Sequence, residues 1–98
     1  MSSKIKSKDV DFLFDAILQL KTREECYMLF EDLCTVQEMK ALSQRLVVAK
    51  MLSEGKVYSD IVKTTGASTA TISRVKRSLD YGCDSYALVF GRMEAEEK

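Results

Sequence analysis

The sequence predicts an all-α protein of six helices, and three observations support that class. No proline occurs among the 98 residues, so no helix is broken by a missing backbone donor. Apolar residues recur three and four apart along most of the chain, and the strict alternation of a half-buried strand does not occur. Two reciprocal capping patterns, Thr22 with Glu25 and Thr35 with Glu38, and glycines at 55, 66 and 82 punctuate those runs. An apolar content of 46 % suits one helical domain over residues 1–98.

Residues 1–8 carry three lysines and no acid and are expected to form a flexible basic arm. Val10, Leu13, Phe14, Ile17 and Leu18 have helical spacing and set a first helix from Asp9 to Leu20. The Thr22–Glu25 box opens a second helix to Leu33, with Cys26, Leu29, Phe30 and Leu33 on its apolar side and Tyr27 beside them. The Thr35–Glu38 box opens the longest helix, through Ser53. Its stripe is Met39, Leu42, Leu46, Ala49 and Leu52, widened by Val47, Val48 and Met51. A helix apolar over so much of its girth is buried on two sides. In so short a chain a second copy best supplies one of them, so residues 9–54 are expected to be dimerisation helices. Gly55 is placed to stop that helix in a left-handed conformation.

Residues 57–80 read as a helix–turn–helix. The first helix, Tyr58 to Thr65, turns Ile61 and Val62 inward and Lys63 outward; Gly66 makes the turn, and Ser68 caps the second helix, 69–80. Ile72, Val75 and Leu79 form its inner stripe, and a turn of 100° per residue puts Ala70, Ser73, Arg74 and Arg77 opposite. That outer face is small at its start and cationic further along, as a surface meeting base edges must be. The same pattern also occurs where two amphipathic helices merely pack and an arginine cluster is a solvated face. Asp80-Tyr81-Gly82 breaks the chain. Asp84 or Ser85 then caps a last helix, 84–97, lined by Tyr86, Val89, Phe90 and Met93.

The formal charge is zero but unevenly laid out. Residues 9–38 hold eight acids and two bases, whereas residues 39–78 hold eight bases and two acids. The second block contains the whole helix–turn–helix, and the local field rather than the total governs phosphate binding.

Gly66-Ala67-Ser68 followed by Thr71-Ile72-Ser73-Arg74-Val75 resembles the turn and recognition helix of bacterial repressors. From Leu33 to Leu79 the chain is similar to the core of the Trp repressor. The matching pieces are Thr35, Glu38-x-x-Ala41-Leu42, Gln44-Arg45, Gly55, Gly66-Ala67 through Arg74, and Ser78-Leu79. Leu20 to Thr35 and Arg77 to Tyr86 look more specifically like the YerC/YecD family of Trp-repressor-related proteins, and the resemblance covers roughly Asp9 to Met93.

The resemblance implies a Trp-repressor-like fold and an intertwined homodimer whose first helices interlock with those of the other subunit. It implies a sequence-specific regulator of transcription, a repressor, that reads double-stranded DNA through the major groove with helix 69–80. Residue type and resemblance together give the roles. Thr69 and Ala70 enter the groove first, with Ser73 and Arg74 one turn further in. Ser68 and Thr71 offer hydroxyls to phosphate. Lys56, Lys63, Lys76 and Arg77 neutralise it, although Lys76 lies near the apolar stripe and equally suits a snorkelling place at the core edge. Arg45 and Arg74 match the two arginines that flank the co-repressor, and Thr35 matches a pocket residue from the other subunit, a set that suits a small anion with a flat ring. Val75 stands where the Trp repressor has glycine and fills the space of the indole, so tryptophan is not the expected ligand; a different small-molecule co-repressor stays open, and no other cofactor is expected.

Other classes fare worse. Cys26, Cys34 and Cys83 are odd in number, sit at helical apolar positions and are expected as buried free thiols of a cytoplasmic protein. With no histidine, neither a zinc site nor a nucleophile–base pair assembles, so neither a metal site nor an enzyme is expected. No run approaches a membrane span, and no basic start leads into an apolar signal segment. The rival reading is a helical protein-binding adaptor whose cationic face meets an acidic partner without touching DNA.

Overall fold

A computed structural model describes residues 4–97, and every element in them is a helix: α1 (Lys8–Ile17), α2 (Arg23–Leu33), α3 (Val36–Ser53), α4 (Tyr58–Thr65), α5 (Thr69–Tyr81) and α6 (Ser85–Glu97). The chain divides into two compact units, residues up to Met39 and residues from Lys40.

In the first unit the helix ends follow their capping side chains. The Ser7 hydroxyl accepts the Val10 N–H at 3.1 Å, so α1 starts at Lys8, one residue earlier than expected. The expected basic arm is thereby shortened: Lys6 pairs with Asp11 at 3.4 Å, and residues 1–3 lie outside the described residues. At its other end α1 stops at Ile17 rather than Leu20. The Gln19 and Leu20 N–H groups reach back only three residues, to Ala16 and Ile17, and tighten the exit. Thr22 accepts the Glu25 N–H at 3.1 Å, but the Glu25 carboxylate takes the Lys21 N–H at 2.8 Å, one residue upstream of a closed box. The Thr35–Glu38 box closes fully, at 3.0 and 2.8 Å. The Thr35 N–H, and after it the Thr35 hydroxyl, hold the Glu38 carboxyl below the usual carboxylate range.

Neither α1 nor α2 contains a buried residue. Phe12 and Leu18 are 76 % and 77 % exposed, and Cys26 is exposed with Cys34 half-buried. The burial expected of Cys26 and Cys34 is therefore corrected: in a single chain these apolar faces find too few neighbours to cover them.

The second unit has the core. Val48, Ala49, Ile61, Ala67, Ile72, Val75 and Phe90 are buried, with Met51, Leu52 and Tyr86 packed against them. In α3 the buried pair is Val48 and Ala49, whereas Leu42 and Leu46 of the expected stripe stay 44 % and 45 % exposed. In α4 only Ile61 is buried; Val62, expected inward, is exposed. Gly55 leaves α3 left-handed as expected (φ 80). Gly66 (φ 73) does the same for α4, giving its N–H to the Val62 carbonyl. Thr65 fastens that turn from inside: its hydroxyl donates to the Ile61 carbonyl and accepts the Ala67 N–H, while the Gln44 amide reaches the Thr65 carbonyl at 3.2 Å.

After α5, Asp84 is left-handed (φ 62), not the extended conformation that capping needs. Among the described residues neither Asp84 nor Ser85 makes the expected side-chain cap. α6 is seated by Phe90, which stacks on Tyr86 with ring centroids 6.0 Å apart. The Lys50 ammonium lies 5.1 Å over the Phe90 ring and 3.8 Å from Glu94.

Candidate nucleic-acid interface

The second helix of the helix–turn–helix presents its two sides as the spacing requires. On the inner side Ile72 and Val75 are 0 % and 2 % exposed and Leu79 is half-buried; on the outer side Thr69, Ala70, Ser73, Arg74 and Arg77 are all exposed. Burying an aliphatic side chain of this size contributes about 1.5–3 kcal/mol. The buried pair therefore fixes the rotation of α5, and with it the direction of the polar face.

Ser68 is committed locally. Its hydroxyl accepts the Thr71 N–H at 3.1 Å and donates to the Thr71 hydroxyl oxygen, also at 3.1 Å. The two hydroxyls share one hydrogen bond, so one of their two protons is left for an outside acceptor. The helix start gains a rigid first turn with no acidic side chain in it, which suits an approaching anion.

The cations divide into two sets. Lys76 bonds Asp80 at 3.1 Å across one turn, and Lys50 lies between Glu54 and Glu94. Both charges are partly matched inside the chain. Lys40, Arg45, Lys56, Lys63, Arg74 and Arg77 are exposed, and among the described residues none has an ion-pair partner. The positive block of the sequence is therefore expressed on the surface mainly by these side chains.

Of the expected pocket residues, Thr35 has its hydroxyl taken up by the Glu38 N–H, and Arg45 and Arg74 are both exposed. Val75 is buried with its methyl groups in the core.

Tyr81 was missed by the sequence reading. It is the last residue of α5 and 85 % exposed. Seven positions past Arg74 and eleven past Ala70, it shares their side of the helix. The signal was available in the 100° rotation; ending the helix at Asp80 hid it.

Cys83 is exposed and free, which corrects its expected burial. Among the described residues no group of three or more His, Cys, Asp or Glu side chains could hold a metal ion, and no helix is long and apolar enough to cross a membrane.

Comparison with known proteins places this geometry. A family model described as Trp repressor protein matches residues 8–94. The chain is 54 % identical over 94 residues to the uncharacterized protein YerC of Bacillus subtilis strain 168, a match that covers 96 % of this chain and 90 % of the relative. It is also similar to two solved structures. One is a candidate Trp repressor from Staphylococcus aureus, at TM-score 0.91 and 55 % identity over 95 % of this chain and 96 % of that one. The other is a TrpR-like protein from Eubacterium eligens, at TM-score 0.90 and 57 % identity over 93 % and 94 %.

Proposed function

The chain belongs to the Trp repressor family, and from that premise we propose that it is a sequence-specific DNA-binding regulator of transcription, acting as a repressor by occupying its operator. The observation that carries the reading is the outer side of α5, small at Thr69 and Ala70 and cationic at Arg74 and Arg77, exposed while the opposite side is buried. A helix with this profile enters a major groove by its N-terminal turn. Thr69 and Ala70 then lie against base edges, Ser73 and Arg74 one turn behind, and Thr71 near a phosphate. Lys56, Lys63 and Arg77 supply affinity that falls with salt, because each phosphate they neutralise releases a counterion. Lys76 contributes less, its charge being shared with Asp80.

The working species is a homodimer. Exposed apolar side chains along α1, α2 and the first half of α3 support it, since so many large hydrophobics in water favour association. Two copies of α5 related by a two-fold axis would read half-sites about 34 Å apart. A regulator of DNA works beside the chromosome, so the proposed compartment is the cytoplasm.

Selection of bound fragments from a random duplex library tests the reading. Enrichment of a palindrome, with affinity that falls as salt rises, is the expected result. Failure to retain any duplex at low salt would refute it and favour the protein-binding adaptor.

A further inference from the structure

Resting on the proposed DNA-binding role of α5, we propose that Tyr81 is a backbone-positioning contact: its phenolic hydroxyl donates a hydrogen bond to a phosphate at the lip of the groove.

Four observations lead there. Tyr81 is 85 % exposed, and among the described residues it makes no hydrogen bond or ring contact within the chain. It continues the row Ala70, Arg74 and Arg77 on one side of α5. At 1.5 Å per residue it lies about 16 Å along the axis from Ala70, farther than the roughly 8.5 Å depth of a major groove. An α5 that enters N-terminus first, pointing Ala70 at the base edges, has Tyr81 outside the groove, at the height of the sugar–phosphate chain.

The C-terminal end of a helix carries partial negative charge, and an acid there would add to it. Asp80 is held by Lys76 at 3.1 Å, which quiets that carboxylate beside the phenol. Gly82 then fixes where the row ends. Its N–H bonds the Ser78 carbonyl, and a Cβ at Gly82 would lie 2.3 Å from that oxygen. The chain leaves the helix there in a conformation that a side chain at 82 would obstruct, and Tyr81 is the last residue of α5.

The test measures binding of full-length wild type, Tyr81→Phe and Tyr81→Ala to the duplex that wild type selects from a random library and to an unrelated duplex. Sedimentation of each protein is run in parallel. Both variants are expected to bind both duplexes roughly tenfold more weakly, with the selected sequence and the sedimentation unchanged. The match of Phe to Ala separates the hydroxyl from the ring. Wild-type affinity in Tyr81→Phe overturns the inference while leaving the DNA-binding role of α5 intact. So does a shift of Tyr81→Ala to a smaller species, which would make Tyr81 an interface residue. Wild type that binds neither duplex overturns the DNA-binding role itself, and this inference with it.

Discussion

At the scale of single residues, the two kinds of cation around α5 are expected to behave differently. Arg74 lies on the outer face one turn behind Ala70, exposed and without an ion-pair partner among the described residues. Arg74→Ala should cost about 1–3 kcal/mol of operator binding and relax the preference at one base pair. Lys63→Ala, on α4, should weaken all duplexes alike and reduce the salt slope by about one. Fluorescence anisotropy over a salt series, with circular dichroism as the folding control, separates the two. If Arg74→Ala binds the selected duplex as wild type does, Arg74 is not a reading residue. A second residue-scale expectation concerns acid. The Glu38 carboxyl is held below its ordinary range first by the Thr35 N–H and then by the Thr35 hydroxyl. A depressed carboxyl stabilises the fold above its unfolded-state pKa, and that contribution disappears as pH falls through the folded-state value. Glu38→Gln should therefore flatten slightly the acid limb of the total helicity curve followed by circular dichroism. An unchanged limb would mean the capping bond does not couple to folding. The group is fully exposed, so the change will be small.

At the scale of elements, α5 owes its register to two fixed points, Ser68 at the start and Gly82 at the end. Gly82→Ala places a methyl against the Ser78 carbonyl oxygen, and that backbone atom can move only if the last turn unwinds. The substitution should lower the melting temperature and the helix content together, whereas Gly91→Ala, inside α6 with nothing within 4 Å of an added Cβ, should raise both slightly, by up to about 1 kcal/mol of helix stability. Equal melting curves for the two variants would remove Gly82 as the stop. Helix limits were legible in the sequence at most places where a side chain announces them, although the Ser7 cap of α1 was passed over. Thr35, Gly55, Gly66 and Ser68 each sit where the spacing put them. Limits set by the backbone alone were not legible. The three-residue closure after Ile17 and the left-handed Asp84 leave no mark in residue type. The outer row of α5 was read correctly as far as Arg77 and lost its last member because one residue of helix was left off.

At the scale of the whole molecule, burial departed from expectation where a single chain cannot satisfy it. Leu42 and Leu46 carry the spacing of a core stripe and remain nearly half exposed, while their neighbours Val48 and Ala49 are sealed. Spacing tells which residues share a side; it does not tell whether the cover comes from the same chain. For the proposed homodimer, the melting temperature should rise with protein concentration, because the subunits dissociate as they unfold. Sedimentation at micromolar and nanomolar loading should show two species. A concentration-independent melt with a single small species would count against the dimer.

Val75, with 2 % of its surface reaching water, stands where the resemblance to the Trp repressor implies the bare hydrogen of glycine. For the proposed regulator, a side chain of that bulk takes the room a flat ring would need, and we propose that tryptophan is not its effector. Adding tryptophan to the binding assay should leave the affinity where it was; a tightening would show that the wedge yields.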